Sequence, residues 1–377
     1  MTMFSLAKAV GDILAPEFVV ISVFPAGQAP HELTLSLELE DEISVTARIG
    51  CDANNNPAAL QWLQRKYARE VASIAYLENA IPSVPVPYVI QVDQNTTNPV
   101  QGPYVMVEDP LGEQLQTAVA DLDMSQKEFM TANIAESLAG IYRHMLSSPS
   151  SPPLKFGAIT GTDARGAPII GPISRSWLHS SSASRPEGPF SDIKQFLSNE
   201  LTQLARVAQD DEAIASNPQA AEAIRSLLRR LNDLLPAITP LNDPAMLRPA
   251  LSYSDLRDQS LFILEDGALG GMAGLEATVL PACLAAAWPA FLRRDGIYSK
   301  NYRNPKEPWR PTLPDNEVAH LRDVFIRAAA KVEPSFPVAL QKGERLRQML
   351  EFMNASNWEG LRRWESDVRK ELSGGRP

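Results

Sequence analysis

The stretch LSYSDLRDQSLFILEDGALGGMAGLEATVLP, residues 251–281, is the part of the sequence that decides the fold. Apolar residues on both sides of a polar loop predict two strands, and the turn residues 265–267 predict that the second strand continues into a hairpin. Asp255 lies in the loop, so the strands would hold its carboxylate in place. Tyr253 precedes it by two residues, which lets a proton donor and a proton acceptor converge on one ligand. Alternatively, Asp255 only braces the loop through hydrogen bonds to its own backbone.

The residues before this stretch begin with a strand-rich part. Segments rich in Val, Ile and Thr predict five strands, the first three in an antiparallel meander, with one long helix between the third and the fourth. The strands are predicted at 18–25, 31–40, 43–50, within 81–92 and at 103–109, and the helix at 58–79. A short amphipathic helix is predicted ahead of the first strand.

The remainder of the chain is helix-rich. Ser125 and Glu128 predict a capping box at the start of the first long helix, and the segment 154–190 is rich in Gly, Pro and Ser and is predicted to be a loop. Helices are predicted at 125–145, 190–209, 217–235, 316–330, 343–354 and 358–372. This order predicts an α+β fold of two lobes: an N-lobe at 1–108, with an antiparallel sheet and one helix, and a mainly helical C-lobe at 109–377 that contains 251–281.

The composition excludes several classes of protein. The 377 residues are 44% hydrophobic and 21% charged, which is typical of a soluble globular protein. The formal net charge of −10 provides no general basic field for DNA, RNA or anionic lipid. Pro281 and Pro289 interrupt the longest apolar run, which is too short to span a membrane. The N-terminus lacks the pattern of a secretory signal. The two cysteines are too few to form a disulfide framework. We expect a cytoplasmic protein with no nucleic acid or membrane partner; the oligomeric state is open.

The order of several segments resembles the aminoglycoside phosphotransferase and choline kinase family, and looks most like its large, divergent fungal branch. The family's catalytic loop reads His-x-Asp, four residues and Asn, followed by a strand pair and Asp-Trp-Glu. The corresponding positions here are 253–255, Ser260 and 274–276. Further similar segments are IPSVPVP (81–87), PYVMVEDPLGEQL (103–115), FGAITG (156–161) and IIGPI (169–173). The resemblance implies a protein kinase-like fold, with the active cleft between the lobes under the strand 103–109.

The resemblance also implies roles for single residues. Asp255 would accept the proton of a substrate hydroxyl, and Arg48 would bind nucleotide phosphates while paired with Glu70. The family's Asn and second Asp hold magnesium, whereas Ser260 is a weaker ligand and Gly274 supplies none. The segment PAGQAP, at the place of a phosphate-binding loop, has one glycine and two prolines that lack an N–H. These departures predict a protein with no cofactor, which uses neither ATP nor magnesium.

Each candidate residue also has a purely structural interpretation. Asp258 and Glu276 lie near enough in the sequence to replace the lost carboxylate, or they are solvated or paired with a nearby arginine. Arg48 and Glu70 form either an anion clamp or an ion pair that only joins elements of the N-lobe. His179 lies in the segment where the family places substrate-facing elements, or in an ordinary surface loop.

The residues support three hypotheses about function. In the first, the cleft binds or converts an organic small molecule, for example in secondary metabolism, without ATP; Tyr253 is the acid, Asp255 the base and Arg48 the clamp. In the second, the chain is a catalytically inactive pseudokinase that acts as a scaffold or ligand sensor. In the third, it transfers phosphate from ATP with unusual metal ligands.

Overall fold

The computed structural model of the chain describes residues 3–14, 18–29, 32–40, 43–51, 57–146, 155–173, 188–253, 256–299, 301–302, 312–355 and 357–374. Two candidate site residues, Asp255 and His179, lie outside these ranges, so their roles remain predictions. The described residues form an antiparallel sheet lobe followed by a mainly helical lobe, which confirms the predicted fold class.

The N-lobe is built on a five-stranded antiparallel sheet. Its strands are β1 (Val20–Ala29), β2 (Glu32–Leu39), β3 (Ser44–Gly50), β4 (Val89–Asp93) and β5 (Tyr104–Glu108). They lie in the order β1-β2-β3-β5-β4, and the first three pair as consecutive hairpins, which confirms the predicted meander. Along β2 every second side chain is a buried leucine, because an extended chain directs successive side chains to opposite faces.

Two helices cover the two faces of this sheet. The helix α1 (Met3–Leu14) packs on the face that carries the β2 leucines, through Leu6, Val10 and Leu14. The long helix α2 (Pro57–Ala80) lies against the other face, where its buried Tyr67 belongs to the same core as the β5 residue Val105. The helix that the sequence predicts at 58–79 is therefore the one beside the cleft.

The C-lobe is mainly helical, as predicted. Its helices are α3 (Leu115–Ala118), α4 (Met124–Leu146), α5 (Ile193–Asp210), α6 (Glu212–Ala215), α7 (Pro218–Ile238), α8 (Ala282–Ala285), α9 (Asp315–Val332), α10 (Ser335–Lys342), α11 (Glu344–Asn354) and α12 (Trp358–Leu372). Its strands are β6 (Glu113–Gln114), β7 (Gly157–Thr162), β8 (Pro168–Gly171), β9 (Pro249–Tyr253), β10 (Leu261–Ile263), β11 (Leu269–Met272) and β12 (Ala277–Pro281). None of the described helices combines the length and hydropathy that a membrane span requires.

Two local predictions were wrong. Part of the segment 154–190 forms the hairpin β7–β8, and β7 pairs with β12; such short strands rich in Gly and Thr give no alternation signal, and their pairing depends on a distant strand. The N-cap of α4 also lies two residues earlier than predicted. The Gln126 N–H donates to Asp123 Oδ1 at 2.9 Å and the Asp123 N–H donates to Gln126 Oε1 at 3.0 Å, so this pair forms the capping box instead of Ser125 and Glu128.

The strand and the hairpin expected from residues 251–281 are present among the described residues. The strand β9 pairs antiparallel with β12, with Tyr253 opposite Ala277. The strand β10 forms the hairpin with β11 and also pairs with β6, directly after the connection from the N-lobe. The Ala277 N–H donates to Ser73 Oγ of α2 at 2.9 Å, so the start of β12 is fixed against the helix that faces the cleft.

Candidate active site in the cleft

An ion pair joins the N-lobe sheet to α2 on the side of the cleft. Arg48 of β3 donates to the Glu70 carboxylate of α2, so the two side chains that the resemblance pairs do meet. The Glu70 side chain is 1% exposed and that of Arg48 is 14% exposed. Burial alone would lower the pKa of Arg48, but the carboxylates of Glu70 and Glu32 outweigh it and raise that pKa. Arg48 is therefore charged and held in one place.

A second carboxylate, Glu32 at the start of β2, lies at the same end of the sheet. It accepts hydrogen bonds from the Lys66 ammonium at 2.9 Å and from the Tyr67 hydroxyl at 3.0 Å, both on α2. The guanidinium carbon of Arg48 lies 5.8 Å from the centroid of the Tyr67 ring, within the range of a cation–π contact. Burial tends to raise the pKa of Glu32, but Lys66, Arg48 and the two hydrogen bonds together lower it. Glu32 is therefore ionised at neutral pH.

The hinge that follows β5 is tied to the sheet by hydrogen bonds. The Thr46 hydroxyl donates to Asp109 Oδ1 at 2.5 Å. The Glu108 N–H donates to the carbonyl of Tyr88, just before β4, and the Asp109 N–H donates to the carbonyl of Ser44, the first residue of β3. Pro110 has no N–H. Residues 108–110 therefore offer no unpaired backbone donor to a base such as adenine, which is recognised through hydrogen bonds along its Watson–Crick edge.

Tyr253, the predicted proton donor, is the last residue of β9 and is buried. Its hydroxyl donates to the backbone carbonyl of Ala273, just after β11. This hydrogen bond directs the hydroxyl proton to the connection between β11 and β12. The role of Tyr253 as an acid paired with Asp255 stays a prediction, because Asp255 lies outside the described residues.

The two positions that hold magnesium in the resembling family do not fit a metal here. Ser260 is buried, and its backbone carbonyl accepts a hydrogen bond from the Ala273 N–H at 2.9 Å. Gly274 has no side chain, and its φ of +69° is a conformation that favours glycine. Among the residues that the structure describes, no cluster of three or more His, Cys, Asp or Glu side chains could hold a metal ion. Magnesium in phosphotransferases is usually held by one or two side chains together with waters and substrate phosphates, and Gly274 contributes no side-chain oxygen to such a set.

The two carboxylates considered as replacement ligands are both bonded to other side chains. Glu276 forms an ion pair with Arg69 of α2, with 3.4 Å between oxygen and nitrogen, and burial raises its pKa despite that arginine. Asp258 accepts a hydrogen bond from the Thr312 hydroxyl, and burial raises its pKa as well. The pairing interpretation therefore describes Glu276, whereas Asp258 is bonded to a threonine.

Sequence reasoning did not single out Glu32, Lys66, Tyr67 or Asp109. For Glu32 a signal was available, because it alternates with the buried leucines of β2 and must face away from α1. Its contact with Lys66 spans 34 positions of the sequence and depends on how α2 packs under the sheet.

An open surface depression with a volume of about 660 Å³ lies on the C-lobe, between α7 and α12. Its lining residues are Arg230, Arg362, Glu365, Ser366, Arg369, Lys370 and Ser373. The described site residues of the cleft lie on other elements, so this depression is separate from the cleft.

The fold of the whole chain matches several solved structures. A thermostable mutant of the aminoglycoside phosphotransferase APH(4)-Ia, in its apo form, is 12% identical with a TM-score of 0.55, and the match covers 98% of this chain and 100% of that one. A Thermobifida fusca protein assigned as a fructosamine-3-kinase is 15% identical with a TM-score of 0.53, covering 99% and 100%. The streptomycin–ATP complex of APH(2″)-IIa is 12% identical with a TM-score of 0.50, covering 98% and 97%. The chain has the aminoglycoside phosphotransferase fold. No protein-family model and no curated protein matches the sequence.

At identities of 12% and 15% the similarity establishes the fold, and it confirms the architecture expected from residues 251–281. Arg48 and Glu70 form the ion pair that the resemblance implies between the sheet and the helix beside it. Ser260 and Gly274 stand at the two positions to which the resemblance assigns metal ligands, and the loss of those ligands stays a prediction.

Proposed function

We propose that the chain binds an organic small molecule in the cleft between its lobes, and that this binding requires neither ATP nor magnesium. The observation that carries the proposal is the lack of a free carboxylate at the position where the resembling family has its second magnesium ligand. Gly274 has no side chain, and the nearest carboxylate after it, Glu276, is paired with Arg69. Phosphoryl transfer relies on metal ions that bridge and neutralise the phosphates. Removing one transition-state stabilising group commonly lowers a rate by about two to three orders of magnitude.

The hinge and the roof of the cleft also support this proposal. The hinge donors at Glu108 and Asp109 are used within the sheet, so an adenine ring would find fewer partners there. The cross-strand register places Phe24, Ser36 and Thr46 on the sheet face that carries Arg48, and Phe24 is 52% exposed. The Thr46 hydroxyl already donates to Asp109, whereas the Ser36 hydroxyl and the exposed Phe24 ring suit a polar organic molecule with an apolar part.

The contacts favour binding over chemical conversion. The hydroxyl of Tyr253, the candidate acid, donates its hydrogen bond to the Ala273 carbonyl. Arg48, the candidate clamp, forms an ion pair with Glu70. A pseudokinase that senses or carries a ligand accounts for both contacts, because it needs a stable cleft and no free acid.

ATP-dependent phosphoryl transfer is a second candidate, favoured by one observation. The Arg48–Glu70 pair is formed, and phosphotransferases with a kinase-like fold need such a pair in place. One solved structure with this fold is described as a complex with ATP and streptomycin.

Thermal shift and calorimetry separate the two candidates, because a ligand that binds the native state raises its Tm. The wild-type chain is measured with ATP and magnesium, with ATP and EDTA, and with a panel of neutral and cationic organic molecules. We expect no magnesium-dependent rise with ATP and a saturable rise with members of the panel. A magnesium-dependent ATP site with a submicromolar Kd that Arg48→Met abolishes would overturn the proposal.

A matched pair of variants places the panel ligands in the cleft. Phe24→Ala removes a cleft side chain that is 52% exposed, and Ile169→Ala removes one outside the cleft that is 49% exposed. We expect Phe24→Ala to weaken binding at least fivefold and Ile169→Ala to leave it unchanged. Equal effects of the two variants would show that the ligand binds elsewhere.

A further inference from the structure

Glu32 places a fixed negative charge at the end of the cleft where the resemblance implies a phosphate site. In the register of β2 and β3, Glu32 lies opposite Gly50 and Thr34 lies opposite Arg48. Residues directly opposite each other in an antiparallel pair share a face of the sheet. Because residues 32 and 34 also share a face, Glu32 and Arg48 lie on the same side, above α2.

The contacts of Glu32 hold the carboxylate in this position. Lys66 and Tyr67 both donate to its Oε2 atom, at 2.9 Å and 3.0 Å. The side chains of Glu32 and Lys66 are 16% and 22% exposed, so the pair is shielded from most of the solvent. Lys66 is further placed by the Trp62 ring, whose centroid lies 5.4 Å from its ammonium nitrogen.

Arg48 and Lys66 are thereby each matched with a carboxylate of the chain itself. Arg48 is paired with Glu70, and Lys66 with Glu32. A phosphate approaching Arg48 and Lys66 would meet the carboxylates that already pair with them, Glu70 and Glu32, and would have to displace at least one of them. Like charges at short range in a partly buried site repel strongly.

From this geometry we propose that Glu32 is a specificity-determining residue of the cleft, an internal anion that fills the place of a ligand phosphate beside Arg48 and Lys66. The inference rests on the proposed function, in which the ligand occupies the cleft. It adds the chemical class: the ligand is neutral or cationic where it approaches β2, and phosphorylated molecules are rejected.

The test uses inorganic tripolyphosphate and metal-free ATP as probes, in calorimetry at constant ionic strength. Wild type is compared with Glu32→Gln, which keeps an acceptor for Lys66 and Tyr67 but removes the charge. We expect no measurable tripolyphosphate binding by wild type, and binding by Glu32→Gln with an affinity at least tenfold above the weakest affinity that the measurement detects. Adding Arg48→Met to Glu32→Gln should abolish the gain, because the probe would then lose its main cation. Glu32→Thr is the second variant in case Glu32→Gln does not fold, because threonine is a strong strand former.

Glu38→Gln is the matched control, because it removes a carboxylate from the other end of β2. Glu38 lies opposite Ser44 and accepts a hydrogen bond from the Ser22 hydroxyl at 2.7 Å, on an exposed part of the strand. We expect no measurable tripolyphosphate binding by Glu38→Gln, as for wild type. A folded Glu32→Gln or Glu32→Thr that binds no better than wild type, or an equal gain for Glu38→Gln, would overturn the role of Glu32. Magnesium-dependent ATP binding by wild type would instead overturn the proposed function, so the two failures are distinguishable.

Discussion

The Arg48–Glu70 pair allows a prediction of stability, because its carboxylate is buried. Arg48→Met leaves the Glu70 carboxylate, whose side chain is 1% exposed, without its partner. Breaking a buried pair from one side typically costs about 3–5 kcal/mol. Unfolding entropy of roughly 2.1 cal/mol/K per residue gives about 0.8 kcal/mol/K for a chain of 377 residues. The expected fall in Tm is therefore about 4–6 °C.

The measurement is urea and thermal unfolding followed by circular dichroism, as a double-mutant cycle. The double variant Arg48→Met/Glu70→Leu replaces both charges with apolar groups, and we expect it to lie within about 1 kcal/mol of wild type. Arg229→Met is the control for loss of a surface charge, since Arg229 and Glu222 are 71% and 57% exposed and such pairs contribute at most about 1 kcal/mol. An Arg48→Met variant as stable as wild type, or a double variant as unstable as the single one, would refute the reasoning.

Three further predictions concern the backbone, a thiol and pH. Gly112 has a φ of +96°, and a Cβ at this position would overlap the Ile263 carbonyl. Gly112→Ala should therefore lower the free energy of unfolding in urea by about 2 kcal/mol or more. The control Gly140→Ala places a methyl group in open space within α4 and should raise the free energy of unfolding by roughly 0.5–1 kcal/mol. Burial raises the pKa of the Cys283 thiol to about 12, so it should stay unlabelled by iodoacetamide at pH 8 in the folded chain and react after denaturation; prompt labelling in the folded chain would contradict this. The pKa of Glu32 is lowered in the folded chain from 4.5, so its ionisation stabilises the fold above pH 4.5. The difference in unfolding free energy between wild type and Glu32→Gln should therefore shrink as the pH falls from 4.5 through the lower folded pKa. A difference that stays constant over this pH range would count against the prediction.

Local patterns in the sequence were sufficient for the main elements. The alternation of apolar residues along 31–40 predicts β2, and the recurrence at helical spacing over 58–79 predicts α2, because both patterns come from the direction in which neighbouring side chains point. The hairpin at 261–272 is signalled by its turn residues. The segment 154–190 carries no such pattern, and its hairpin depends on pairing with β12.

The candidate site shows the same division. The placing of Ser260 and Gly274 at the family's metal positions comes from residue identity and order in the sequence alone, and it stays a prediction. The partners of the charged residues were decided by the tertiary structure: Glu276 meets Arg69 across 207 positions of the chain, and Glu32 meets Lys66 across 34. The physical reason is that an ionised side chain excluded from water must find an opposite charge or a hydrogen bond nearby. Periodicity fixes the face on which a carboxylate lies, whereas the packing of α2 under the sheet and against β12 determines which cation it meets.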